Sequence, residues 1–116
     1  SIGDLLPESE ASLPEAEQRA CVVVRQAALK MEVQYNLARF YHQIALFGHA
    51  TSQYRAVLAI HDRVLAVPCV AASARARSIL RDSSVAMEAA FNLSDLYAAS
   101  GNRQMAVALS RQYLTV

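Results

Sequence analysis

Tryptophan is absent from this chain of 116 residues, and glycine and proline number only three each. So few turn-formers speak against a strand-rich sandwich, which needs them at short intervals. The glycine pairs of a dinucleotide-binding turn are missing too. The two cysteines, Cys21 and Cys69, lie 48 positions apart with no Cys-x-x-Cys, which excludes a disulfide framework and suggests buried thiols of an intracellular protein. Charge of either sign is not in excess: 11 Lys and Arg against 10 Asp and Glu leave a formal +1, too little field to steer the chain toward nucleic acid or anionic lipid. No apolar run is long enough for a membrane span, since Cys21-Val22-Val23-Val24 ends at Arg25 and the stretch Leu65 to Ala72 is interrupted by Pro68. The first residue is Ser1, not Met, which raises the expectation of a processed chain or an excised piece of a longer one.

What is abundant is alanine, 22 of the 116 residues, the best helix former. With 54% apolar residues and a mean hydropathy of +0.18, the chain is built to pack, and the expected class is all-α.

One segment repeats. Met31-Glu32-Val33-Gln34-Tyr35-Asn36-Leu37-Ala38-Arg39-Phe40-Tyr41 aligns with Met87-Glu88-Ala89-Ala90-Phe91-Asn92-Leu93-Ser94-Asp95-Leu96-Tyr97 at an offset of 56. The register continues without a gap through Ala45 and Gly101, Ala50 and Ala106, and Leu58 and Leu114. Leu37-Ala38-x-x-Tyr41 with Ala50, and Leu93-Ser94-x-x-Tyr97 with Ala106, resemble the tetratricopeptide (TPR) pattern of two antiparallel helices. Leu and Tyr at i and i+4 share a helical face, and the small residue beside Leu lets the second helix approach closely. Leu37, Ala38, Tyr41, Ala50, Leu93, Ser94, Tyr97 and Ala106 are thus the expected repeat-packing residues, in an α-solenoid fragment of about five to six helices.

The remaining segments follow from composition. Residues 1–11 read as an acidic flexible arm. Ser12, Pro14, Glu15 and Glu17 signal a helix start, and 12–30 is expected to be the helix of a degenerate preceding repeat. TPR units are expected at 31–64 and 85–116, separated by an insertion at 65–84 that is partly mobile and holds a short helix from about Val70 to Leu80.

Tyr35-Asn36-Leu37-Ala38-Arg39-Phe40-Tyr41-His42-Gln43-Ile44-Ala45-Leu46 resembles the penultimate repeat of the TPR subunit of transcription factor IIIC, and Ala90 to Asn102 resembles that family's last repeat. The likeness covers about residues 31–116; Ala38 and Ala45 stand where the family carries glycine. The resemblance implies a nuclear, non-enzymatic scaffold in the complex that recruits initiation factor IIIB for RNA polymerase III transcription of transfer-RNA and 5S RNA genes. It also implies that a C-terminal fragment holds other protein subunits. TPR first helices line a concave surface, which places Tyr35, Asn36, Arg39, Phe91, Asn92 and Asp95 as partner-binding residues. For both asparagines, a structural bond between neighbouring repeats is the competing role. A generic peptide-binding adaptor or co-chaperone is the alternative, weakened by the acids Glu32, Glu88 and Asp95 near those positions.

Nothing suggests chemistry. His42, His49 and His61 are spaced by 7 and 12, which does not place two imidazoles on one helical face for a metal. No nucleophile motif is present, so no catalytic residue, cofactor or small-molecule substrate is expected. Arg75, Arg77 and Arg81 form a small basic cluster; a solvated helix face is the simpler reading, and contact with DNA phosphate the sharper one.

Overall fold

The computed structural model describes residues 6–114, and these are helical with no strand among them. The helices are α1 (Glu8–Ala11), α2 (Glu15–Gln43), α3 (Phe47–Leu65), α4 (Pro68–Ala71), α5 (Ala74–Ser83), α6 (Ala86–Ala99) and α7 (Arg103–Leu109), the last running on into a π-helical turn at Ser110–Leu114. The all-α expectation holds.

The longest element departs from expectation. Residues 12–30 do not form a separate helix of a preceding repeat; 12–14 precede α2, and 15–30 are the first half of that helix, which runs unbroken for 29 residues. Between Glu15 and Gln43 there is neither glycine nor proline, and nothing at Lys30-Met31 interrupts the backbone ladder. Ala20, Val24, Ala27, Met31 and Ala38 continue one buried face through the expected boundary. Ser12 does not cap this helix: Pro14 precedes its first turn, and no side chain caps it.

The two hairpins turn alike. After α2 the N–H of Ala45 bonds the carbonyl of His42 at 3.1 Å and that of Leu46 bonds Tyr41 at 2.9 Å. After α6, Gly101 bonds Ala98 at 3.1 Å and Asn102 bonds Tyr97 at 2.8 Å, the same paired closure of a helix end. That closure requires a left-handed residue, and φ is +64° at Ala45 and +87° at Gly101. Glycine adopts it freely, whereas alanine is strained there. Ala50 and Ala106, each nine positions after the tyrosine of its repeat, are 0% and 9% exposed where the second helix of each hairpin crosses the first.

The segment 65–84, expected to be partly mobile, is instead packed. Pro68 opens α4 at its first turn, Val70 is buried, and Ser73 caps α5 by accepting the Ala76 N–H at 3.1 Å. The Ser73 hydroxyl also donates to Glu17 at 3.0 Å, and Ala76 and Leu80 complete an apolar face against α2. The cover for the first half of α2 therefore comes from a later part of the chain. An alanine-rich stretch with little bulk lets α5 lie close to the alanines of α2, a complementarity that composition alone does not reveal.

Part of the expected flexible arm is also docked; its residues 1–5 lie outside the described residues. Residues 8–11 form α1, and Glu10 is buried against Arg25, which grips both carboxylate oxygens, one of them at 2.7 Å. Arg75 of α5 reaches the same carboxylate at 3.4 Å, and Gln18 donates to the Ala11 and Leu13 carbonyls at 2.7 and 2.9 Å. The Arg25 guanidinium holds the Glu10 carboxyl down at about 2, against the opposing effect of burial. The Cys21 thiol is buried beside it and pushed up, first by desolvation and then by the carboxylate, which leaves it a packing group. Cys21 and Cys69 are both free thiols, Cys69 only half-buried.

α6 stacks on α3, so the order α2, α3, α6, α7 forms a layered row, with α4 and α5 covering the outer half of α2. At the far end Tyr113 donates to Asp62 at 2.6 Å, tying the last turn back to α3.

Candidate functional site

Where α2, α3 and α6 converge, an open groove of about 530 Å³ is lined by Tyr35, Arg39, His42, Gln43, Tyr54 and Asn92. On α2, Tyr35 and His42 stand three before and four after the buried Ala38, so they flank the face turned to α3; on α6, Asn92 sits beside the buried Leu93. At the floor lies Tyr54, fully buried, its hydroxyl 3.0 Å from His42 Nδ1. Asn92 spends its two amide protons on the Tyr54 and Tyr35 hydroxyls, at 3.3 and 3.2 Å. Burial pushes the Tyr54 phenol up, so it stays a neutral hydrogen-bonding group at any physiological pH.

The rim is Arg39, its guanidinium 6.0 Å from the centroid of the Tyr35 ring. Among the described residues no carboxylate pairs with it. His42 is shared with an adjoining, mostly apolar groove of about 650 Å³ that includes Phe47, Gly48, Thr51, Asp95 and Leu96. A cation on an aromatic ring, two amide-bonded tyrosines and an apolar extension can grip an extended or helical peptide. No serine, threonine or cysteine is paired with a base here, and no cluster of three potential metal ligands occurs among the described residues.

Of the six expected partner-binding residues, Tyr35, Arg39 and Asn92 come together. Asp95 belongs to the adjoining groove. Asn36 and Phe91 line neither groove: both are exposed, and Asn36 sits on the outer side of α2. Asn92, moreover, is committed to binding α2 and α3 together, so it is a structural bond first and a groove wall second. Tyr54 is not among the expected binding residues; its place in the groove depends on α6 crossing α3, which leaves no local sequence signal.

The repeat-packing residues divide likewise. Ala38, Ala50, Leu93 and Ala106 are buried, Tyr41 and Tyr97 are half-buried, and the Ser94 hydroxyl donates to the Ala106 carbonyl at 3.3 Å, so the helices of the second hairpin approach closely. Leu37 does not pack as expected. It is 37% exposed, because α3 lies to one side of it and nothing among the described residues lies on the other.

The basic cluster is split. Arg75 faces α1 and Glu10, Arg77 donates to the Ala71 carbonyl, and only Arg77 and Arg81 share a side of α5.

The fold and groove together define a small all-α protein of stacked helical hairpins. Compared with protein-family models, curated proteins and solved structures, the chain matches none.

Proposed function

We propose that this chain is a non-enzymatic helical-repeat scaffold of the TPR kind, which binds a protein partner in the groove between its two hairpins. The observation that carries this reading is Arg39: an exposed cation over the ring of Tyr35 at the mouth of a groove, with no carboxylate partner among the described residues. Unpaired arginines beside aromatic rings are common anchors of protein interfaces. The matching turns 56 positions apart support the repeat, and the likeness of residues 31–116 to the TPR subunit of transcription factor IIIC points to the other subunits of a nuclear complex of that type as partners.

The test is retention of those subunits. Immobilised chain incubated with nuclear extract retains one or more subunits of transcription factor IIIC, identified by mass spectrometry. Arg39→Glu lowers retention about thirtyfold, the equivalent of losing one central anchor, with unchanged circular dichroism. Equal retention by both forms, or none of these subunits in the eluate, defeats the proposal. The unpaired cation also favours a second reading, an adaptor for acidic peptide tails. It gains if an acidic C-terminal peptide binds the parent but not Arg39→Glu, while no subunit of the complex is retained.

A further inference from the structure

The two hairpins are related by a shift of 56 positions, so each surface of one has a counterpart in the other. On α6 the side turned to α3 carries Val85, Ala89, Asn92 and Leu96, spaced along one helical face. Ala89 is buried, Val85 and Leu96 pack against the core, and Asn92 donates to Tyr54 of α3. The same face of α2 carries Leu29, Val33, Asn36 and Phe40. There, Leu29 is 64%, Val33 66% and Phe40 53% exposed. Leu37 and Ile44 extend the stripe, which runs about 22 Å along the helix at 1.5 Å per residue. The opposite face of α2 is already in the core, so this helix is apolar on two sides and, among the described residues, covered on one. Isolated exposed leucines need no explanation, but five large apolar side chains in one stripe do.

We propose that this stripe is the docking site for one amphipathic helix with the chemistry of α3, presented by a helical hairpin of a partner protein. The second hairpin shows what such a face receives: a helix whose tyrosine hydroxyl accepts from the asparagine and whose small and apolar residues lie over the rest. Asn36 is the counterpart of Asn92, exposed and with no hydrogen-bond partner among the described residues. A second copy of this chain is poorly suited as the occupant. Its α3 is already enclosed by α2 and α6, and its α7, the repeat counterpart, has Arg103 and Ser110 where α3 has Phe47 and Tyr54. Polar groups there would be buried against Val33 and Phe40 without partners.

The probe is a peptide of residues 45–66, stapled between positions 55 and 59, both exposed on α3, because an unstapled helix of this length is marginal in water. Titrated into the full chain, it binds one to one in the micromolar range. The double variant Val33→Asp, Phe40→Asp, altered only at exposed positions, weakens binding about tenfold or more. Asn36→Ala in the chain and Tyr54→Phe in the peptide lose affinity non-additively, as partners in one hydrogen bond do. Arg39→Glu, whose guanidinium lies toward Tyr35 at the groove edge of the stripe, weakens the peptide far less than the double aspartate variant does, so this proposal and the groove reading fail separately. Absence of peptide binding, or equal binding by the double aspartate variant, overturns the proposal. So does a stripe-dependent dimer in sedimentation, which assigns the face to a second copy, or stripe-dependent binding to anionic vesicles in place of the peptide.

Discussion

Acidification should loosen this protein through one residue, Glu10. Its side chain is 3% exposed and held by Arg25 and Arg75, and its carboxyl sits at about 2 in the fold against 4.5 when unfolded. A carboxyl depressed by folding contributes stability that is fully present above the unfolded value and is lost as pH falls toward the folded one. The window is therefore about pH 5 down to 2. At 1.36 kcal/mol per pH unit the whole contribution is about 3 kcal/mol, of which about 2 is gone by pH 3. Both arginines are partly solvated, which trims these figures toward the lower side. Against a total stability of about 5–15 kcal/mol for a single domain, that is a substantial fraction. Urea unfolding followed by circular dichroism at pH 6 and pH 3 measures the loss in the parent. Glu10→Gln removes the titration and leaves Arg25 without its counter-charge, so it should be about 2 kcal/mol less stable at pH 6 and lose correspondingly less on going to pH 3. If the variant loses as much stability between pH 6 and 3 as the parent, other carboxylates carry the acid sensitivity and the Glu10 reasoning fails.

Three further outcomes follow from the paired hairpins. Ala45→Gly should raise stability by about 0.5–1 kcal/mol by relieving the left-handed alanine, partly offset by greater freedom of the unfolded chain, whereas Gly101→Ala should lower it by a similar amount; thermal melts of both decide the sign. Ala50→Arg should cost about 3 kcal/mol or more, and Ala106→Arg less, because Ala50 lies wholly inside and Ala106 near the end of the row; melts of both within a degree of the parent would contradict the crossing geometry. Asn92→Ala should cost about 1–2 kcal/mol because it orphans two tyrosine hydroxyls, while Asn36→Ala should be near neutral in the free chain; equal effects in chemical denaturation would mean that the two asparagines are equivalent after all.

Much of the local structure was legible in the sequence, because helix formation depends on near neighbours. The scarcity of glycine and proline, the alanine content and the 56-position repeat specify an all-α chain with two similar hairpins, and the small residues Ala50 and Ala106 mark where their helices cross. The start of the long helix near Pro14 was readable, as was a short helix after Pro68, though not its division at Ser73 into Pro68–Ala71 and Ala74–Ser83.

What the tertiary structure alone decided is which surfaces meet. Lys30-Met31 carries no break signal, so a single helix over 15–43 was open to a reading of the sequence; that its first half is covered by 68–83, with α5 docked beside Ala20, Val24 and Ala27, was not. The same amide at Asn36 and Asn92 has opposite surroundings, exposed in one and bonded to two tyrosines in the other, since the second hairpin has α3 against it and the first has no counterpart among the described residues. Glu10 reads as one acid in a polar arm until folding brings Arg25 and Arg75, 15 and 65 positions away, to its two oxygens. A repeat in sequence transmits the backbone and the side-chain types of a hairpin but not its neighbours, and burial, hydrogen bonding and the groove at Arg39 are properties of the neighbours.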